Sequence, residues 1–328
     1  MKRIALGLLA ATALTFSAQA EPAIVYDLGG KFDKSFNEAA YNGAEKFKEE
    51  TGTAYREFEI QNDAQREQAL RKFAEDGNSP IVVAGFSFAQ AIDTVAKEFP
   101  DTRFAIIDMV VEQPNVRSVV FKEQEGSYLA GVMAAKASES GTVGFVGGMG
   151  IPLISRFACG YKGGVKATNA DANVIENMTG DTPAAWNDPV KGGEITKAQI
   201  AQGADVVYHA AGGTGVGVIQ AAADAGKLAI GVDSNQNGLQ PGKVLTSMMK
   251  RVDVAVYNAF KDGSDGGEWT TGFSVLGLAE GGVDLAMDDN NKPLVTDEMM
   301  AAVDDARAKI VSGDIVVHDY MSDESCPY

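Results

Sequence analysis

The sequence is poor in the residues that build reactive or metal-bound centres. It has two histidines and two cysteines in 328 residues. His209 and His318 lie far apart, and no Cys, His or Asp spacing of ligand type accompanies them, which argues against a metal centre. The Asp288-Asp289-Asn290-Asn291 run lacks the glycine and glutamate of a calcium loop and reads as a solvated turn. There is no G-x-S-x-G elbow and no Walker motif, and nothing resembles an activated nucleophile. No basic tract is present, which argues against nucleic acid or an anionic membrane surface as a partner.

Long apolar runs are also missing. The run at 4–16 is too short to anchor a helix across a bilayer. It follows Lys2-Arg3 and precedes Ala18-Gln19-Ala20, so residues 1–20 read as a cleaved signal peptide. No cysteine follows this leader, so a lipid anchor is not expected and a soluble periplasmic protein is. Loss of the leader removes two basic and no acidic residues, shifting the net charge from −17 to −19. Such a charge suits a highly soluble chain in an extracytoplasmic space. Cys159 and Cys326 then sit in a compartment that permits disulfides. They either pair, pinning the tail to the helix that carries Cys159, or are two unrelated thiols; sequence leaves both open.

What is present is alternation. Strand-like runs fall at 24–27, 54–59, 81–84, 104–107, 116–121, 143–146, 173–176, 206–209, 228–232 and 244–247. Amphipathic stretches lie between them at 62–75, 89–99, 126–137, 189–201 and 216–225, which gives the pattern two alternating periods. It predicts an α/β protein of two similar parallel-sheet lobes, each doubly wound. Three short crossings are expected, near 122–125, 250–253 and 281–282. The first lobe would hold 21–123 with 251–280, and the second 124–250 with 281–328. A tail helix at 297–311 and a short strand at 315–318 complete the prediction. Two lobes on several short crossings make a hinge with a ligand site between them.

The stretch 24–37, IVYDLGGKFDKSFN, concentrates chemistry. A buried strand ends at Asp27, and the Ser35/Glu38 spacing of a capping box starts a helix at Phe36. Asp27, Phe36 and Asn37 therefore sit where a parallel strand hands over to a helix, the usual ligand end of such a sheet. Asp27 either meets a ligand or organises the Gly29-Gly30 turn. Asp108 and Asp233 end apolar strands in the same way, and Lys250 follows another. The glycines Gly212 to Gly215 fail the G-x-G-x-x-G dinucleotide pattern and are better explained by close backbone approach to a ligand. Gly147-Gly148-Met149 holds the equivalent place after another strand, so Met149 is expected to line the cleft. Trp186 is read as the anchor of a surface loop rather than as a pocket wall.

The segments GKFDKSFNEAAYNGAEKF, QEGSYLAGVMAA, VGFVGGMGIPLISRFACGYKGGVKA, WNDPVKG, GADVVYHAAGGTGVGV and AIGVDSNQNGLQPGKVLTSMMKRVDVAV resemble the basic membrane protein family over residues 23–318. These are substrate-binding proteins of ABC transporters, of which the characterised type is a purine nucleoside receptor. The resemblance implies a type I periplasmic-binding fold and a nucleoside clamped between the lobes. It implies a base held between aromatic rings and read by Asn37 and Asp108, with Phe36 as one ring. Either Tyr208 or His209 would supply the second. The ribose would be held by Asp233 and Lys250. It further implies a monomer that serves an inner-membrane permease and its ATPase, with no cofactor, no catalysis and no membrane insertion. The alternatives are the same clamp for a sugar or other small polar metabolite, or an exported nucleoside-processing enzyme.

Overall fold

The computed structural model describes residues 20–264 and 268–328. The stretch expected to be a signal peptide, 1–20, lies, but for its last residue, outside the described residues. In chain order, β1 (Ala23–Tyr26), α1 (Phe36–Thr51), β2 (Arg56–Glu59), α2 (Gln65–Glu75), β3 (Ile81–Ala84), α3 (Ala89–Glu98), β4 (Phe104–Ile107) and β5 (Val116–Phe121) come first. They are followed by α4 (Glu123–Ala137), β6 (Thr142–Met149), α5 (Pro152–Thr168), β7 (Asn173–Gly180), α6 (Pro189–Ala201), β8 (Val206–Ala210), α7 (Gly215–Asp224), β9 (Leu228–Asp233) and β10 (Val244–Lys250). The chain closes with α8 (Val252–Ser264), β11 (Gly272–Leu276), β12 (Val283–Leu285) and α9 (Asp297–Ser312).

The strands form two six-stranded sheets, ordered β11-β5-β4-β3-β1-β2 and β12-β10-β9-β8-β6-β7. Every pairing is parallel except that of β12 with β10. The central strands β1, β3 and β4 are buried along their whole length, as expected where helices cover both faces of a parallel sheet. The edge strand β2 is exposed throughout and reads Arg-Glu-Phe-Glu, charges that discourage edge-to-edge pairing. One apolar cluster runs from α1 and β1 through Phe121 and α4 to β6 and β8, so the two halves share a continuous core on that side.

The chain passes between the sheets after β5, after β10 and between β11 and β12. These connections are tied to each other. Lys122 donates its backbone N–H to Leu276 at 3.0 Å, and Arg251 donates to Gly282 at 2.9 Å. The Leu278 N–H adds a bond of 2.9 Å to the Glu125 carboxylate.

Two local expectations fail. Residues 315–318 form no strand: Val316 is 84% exposed and no sheet edge receives the segment. The strand β12, too short to show a period, is missed by sequence reading. Cys159 and Cys326 are bonded, which fixes the tail to α5 and closes a loop spanning 167 residues. Among the described residues no helix is long and apolar enough to cross a membrane.

Candidate functional site

The carboxyl ends of β1 and β4 in one sheet face those of β8, β9 and β10 in the other. Between them is a cleft of about 620 Å³, its open mouth included, bordered by Asp27, Asp33, Phe36, Asn37, Asp108, Asp233 and Lys250. Gly212 and a wall of apolar side chains complete the border.

The start of α1 is built differently from the capping box read in the sequence. Asp33, not Ser35, caps the helix. Its carboxylate accepts from the backbone N–H groups of Ser35, Asn37 and Glu38 at 2.8, 3.0 and 3.1 Å. Burial pushes the Asp33 carboxyl up to about 6, partly offset by those three N–H donors. Ser35 is left to point across the cleft, where its hydroxyl donates to Asp233 at 2.5 Å. Phe36 then turns its ring into the cleft from the first helical position. Asn37 spends its amide locally, accepting from the Asp27 N–H at 3.2 Å and donating to the Asp27 carbonyl at 3.4 Å.

Asp27 borders the cleft, but its oxygens are taken. One accepts from the Leu28 N–H at 2.8 Å and from Arg66 at 2.7 Å, and the other accepts from the Ser87 hydroxyl. Asp27 thus borders the cleft and also braces the start of its turn through the Leu28 N–H.

Asp108 and Asp233 end their strands in the left-handed region, at φ 72° and 63°. Asp tolerates that region better than most residues. The backbone reversal turns both carboxylates towards the cleft. Lys250 lies between them and is almost fully buried. Its ammonium is 2.7 Å from Asp108 and 2.8 Å from Glu123. The rings of Phe36, Phe121 and Phe157 surround the same nitrogen at 5.3, 5.1 and 5.5 Å. That is a cation–π arrangement on three sides. Burial alone would lower the Lys250 pKa, but Asp108, Glu123 and Asp233 outweigh it and hold it above the usual lysine value. Burial raises the Asp108 carboxyl above its usual range despite Lys250, and raises Asp233 to about 6. Both carboxylate oxygens of Asp108 face the Lys250 ammonium, each at 2.7 Å.

The opposite wall comes from α5 and the segment before α6: Leu153, Ile154, Phe157 and Trp186. Trp186 is therefore a wall of the cleft and not the anchor of a surface loop. Its ring lies on Gly148, where a Cβ would come within 2.1 Å of it, so Gly148 makes room for the indole. Gly212 adopts φ +56°, where a Cβ would come within 3.3 Å of the Trp186 carbonyl oxygen, a place that favours glycine.

The profile of the PnrA-like ABC transporter substrate-binding proteins matches residues 21–320. The chain belongs to this family. Among PnrA-like relatives, a Lactococcus lactis protein described as the ABC transporter nucleoside-binding protein BmpA is 35% identical over 318 residues, covering 90% of this chain and 88% of its own. Basic membrane protein A2 of Borrelia garinii is 31% identical over 315 residues, covering 90% and 88%. A solved ABC transporter solute-binding protein from Aeropyrum pernix superposes with a TM-score of 0.81 at 28% identity, over 91% of this chain and 94% of that one. A second, from Conexibacter woesei, gives 0.73 at 25% identity over 92% and 99%. The two-sheet architecture is thus the periplasmic-binding-protein fold, and the protein is a PnrA-like substrate-binding protein of the ABC-transporter type.

Three residues expected at this PnrA-like site lie outside the cleft. Strand alternation turns Tyr208 into the core of the second lobe. There it packs on Phe145 and Tyr161 and bonds Ser127 at 3.1 Å. His209 points to the opposite face and is buried against Gly215, with Gln236 at 2.9 Å. Burial lowers its pKa to about 4, so it is neutral. Met149 ends β6 paired to Gly180 and does not border the cleft. Glu123, Phe157 and Asp33 are the site residues that sequence reasoning missed. The signal for Asp33 was its place two residues before Ser35, the spacing of an Asx-type cap.

Proposed function

We propose that this protein captures a purine nucleoside in the cleft and delivers it to an inner-membrane permease driven by an ATPase. It does so from the periplasm, to which a signal peptide at residues 1–20 directs it without a lipid anchor. The observation that carries this reading is that Phe36, Phe157 and Trp186 border the same cleft as the polar groups Asp108, Asp233 and Lys250. Aromatic walls beside such groups suit a flat heterocycle with polar edges. The carboxylate of Asp108 borders the cleft, and its lone pairs beyond those facing Lys250 suit the N–H donors on a guanine or hypoxanthine edge. Asp233 and Lys250 supply an acceptor and a donor for vicinal ribose hydroxyls. The name of the Lactococcus lactis relative, a nucleoside-binding protein, supports the same ligand class.

No bond need be broken for this function, and we read the protein as a carrier and not an enzyme. Only the closed arrangement brings both sheets to the ligand, so binding biases the hinge towards closure. The sequence has two tryptophans, Trp186 and Trp269, and only Trp186 borders the cleft. Titrating guanosine, inosine and adenosine while following tryptophan emission is therefore a direct test. Saturable quenching that disappears in Trp186→Phe supports the reading, and no change with any purine nucleoside refutes it.

A further inference from the structure

Lys250 is one link in a longer chain of buried charge. Its ammonium lies 2.8 Å from Oε1 of Glu123, the first residue of α4, whose side chain is 1% exposed. Oε2 of Glu123 accepts from Arg156 of α5 at 2.9 Å. Arg156 also donates to the Phe121 carbonyl at 2.9 Å, then grips Asp319 with two parallel bonds of 2.8 and 2.9 Å. The series Asp108, Lys250, Glu123, Arg156, Asp319 alternates in sign. It leads from the floor of the cleft, through two of the three inter-sheet connections, to the C-terminal tail.

The tail is otherwise a surface segment held at few points. Cys326 bonds Cys159, one turn along α5 from Arg156. The Tyr328 ring covers Gly163, where a Cβ would come within 2.8 Å of it. Both anchors lie on the helix that supplies Leu153, Ile154 and Phe157 to the cleft wall. Neither touches the cleft, and Asp319 reaches it only through Arg156.

We infer that Glu123 is a positioning residue that holds Lys250 at the cleft floor, and that the C-terminal tail, through Asp319 and Arg156, helps set ligand affinity. A lysine on four flexible methylenes needs fixed partners if its ammonium is to meet a ligand at one point. Asp108 faces the ligand and is shared with it, whereas Glu123 faces away and is not. Glu123 is in turn steadied by Arg156, whose planar fork is aligned by Asp319. This inference rests on the nucleoside reading above, since it concerns how firmly Lys250 is presented.

The test compares wild type, Glu123→Gln, Asp319→Asn and Glu324→Gln, the last being an exposed tail residue outside the chain of charge. Guanosine and inosine affinities are measured by calorimetry, and acetylation of Lys250 by acetic anhydride is timed by peptide mass spectrometry without ligand. Glu123→Gln should weaken nucleoside binding at least tenfold and Asp319→Asn three- to tenfold, with Glu324→Gln unchanged. Lys250 should be acetylated faster in the first two variants only. Equal affinity of Asp319→Asn and Glu324→Gln overturns the role of the tail. Wild-type affinity and acetylation in Glu123→Gln overturn its positioning role. If wild type binds no nucleoside, the proposed ligand fails while the acetylation rates still decide whether Glu123 and Asp319 hold Lys250.

Discussion

The Ser35 hydroxyl donates to the Asp233 carboxylate at 2.5 Å, joining the start of α1 in one sheet's half to the end of β9 in the other. Two neighbouring bonds reinforce the contact: Ser234 donates to the Ser35 carbonyl at 2.8 Å, and Gln236 to the Lys34 carbonyl at 2.9 Å. Under the proposed function these three bonds would act as a latch between the two halves beside the cleft. Ser35 occupies the N-cap position of α1 without capping it, because Asp33 accepts from the N–H groups of Ser35, Asn37 and Glu38.

Ser35→Ala and Asp33→Ala should therefore separate. Losing the Asp33 cap should cost about 1 kcal/mol of stability, on the scale of other helix caps. Losing the Ser35 hydroxyl should hardly move the melting temperature but weaken nucleoside binding about tenfold, the worth of one hydrogen bond to a carboxylate. Thermal denaturation and calorimetry on the two variants read the difference. Equal melting losses would mean Ser35 contributes to the helix and not to closure.

Lys250→Met should destabilise the protein by about 3–5 kcal/mol, because it leaves Asp108 and Glu123 buried without their shared cation. Adding Asp108→Asn should recover part of that loss. Urea denaturation of the single and double variants gives the coupling. Additive losses would show that the ammonium is not compensating these carboxylates.

The Asp233 carboxyl is raised to about 6, above the ordinary aspartate value of 3.8 that it regains on unfolding. The folded state then holds a proton that the unfolded state has lost between about pH 4 and pH 6. Its contribution to stability is full below about pH 4 and is lost as pH rises through about 6. Asp33 acts in the same direction. Between about pH 4.5 and 7, unliganded wild type should lose stability relative to Asp233→Asn. Parallel melting curves across that range would contradict the raised value.

Trp186→Ala should weaken nucleoside binding ten- to a hundredfold, the worth of roughly 1–3 kcal/mol of stacking. Tyr208→Phe removes only a core hydrogen bond to Ser127 and should leave affinity unchanged. If Tyr208→Phe weakens binding and Trp186→Ala does not, the second wall has been misplaced.

The two-sheet architecture was legible because parallel strands buried on both faces read as short apolar runs, and those runs recur at regular spacing. The strand ends were legible for the same reason: Asp27, Asp108, Asp233 and Lys250 each close such a run, and all four border the cleft. What the sequence hid depends on facing and distance. Adjacent residues of β8 point to opposite faces, so neither Tyr208 nor His209 faces the cleft although both sit near the right level of the strand. Trp186 gave no periodic signal because it lies in a short turn, and only Gly148 beneath it makes space for its ring. Ser35 and Glu38 had the spacing of a capping box, but an aspartate two residues earlier competes for the same N–H groups and wins them. Glu123 fell inside the crossing expected at 122–125, and only the meeting of two inter-sheet connections reveals its partners.

At the centre of the proposed function, the cleft between the sheets holds a purine base against Phe36 with its sugar on Asp233 and Lys250. Calorimetric titration of the protein with guanosine, inosine, adenosine and free ribose, repeated with Phe36→Ala, tests this most directly. Heat of binding is expected from at least one purine nucleoside and none from ribose, with a loss of at least tenfold in affinity in the variant. Ribose binding as tightly as the nucleosides, or a Phe36→Ala protein that binds as wild type does, would contradict it.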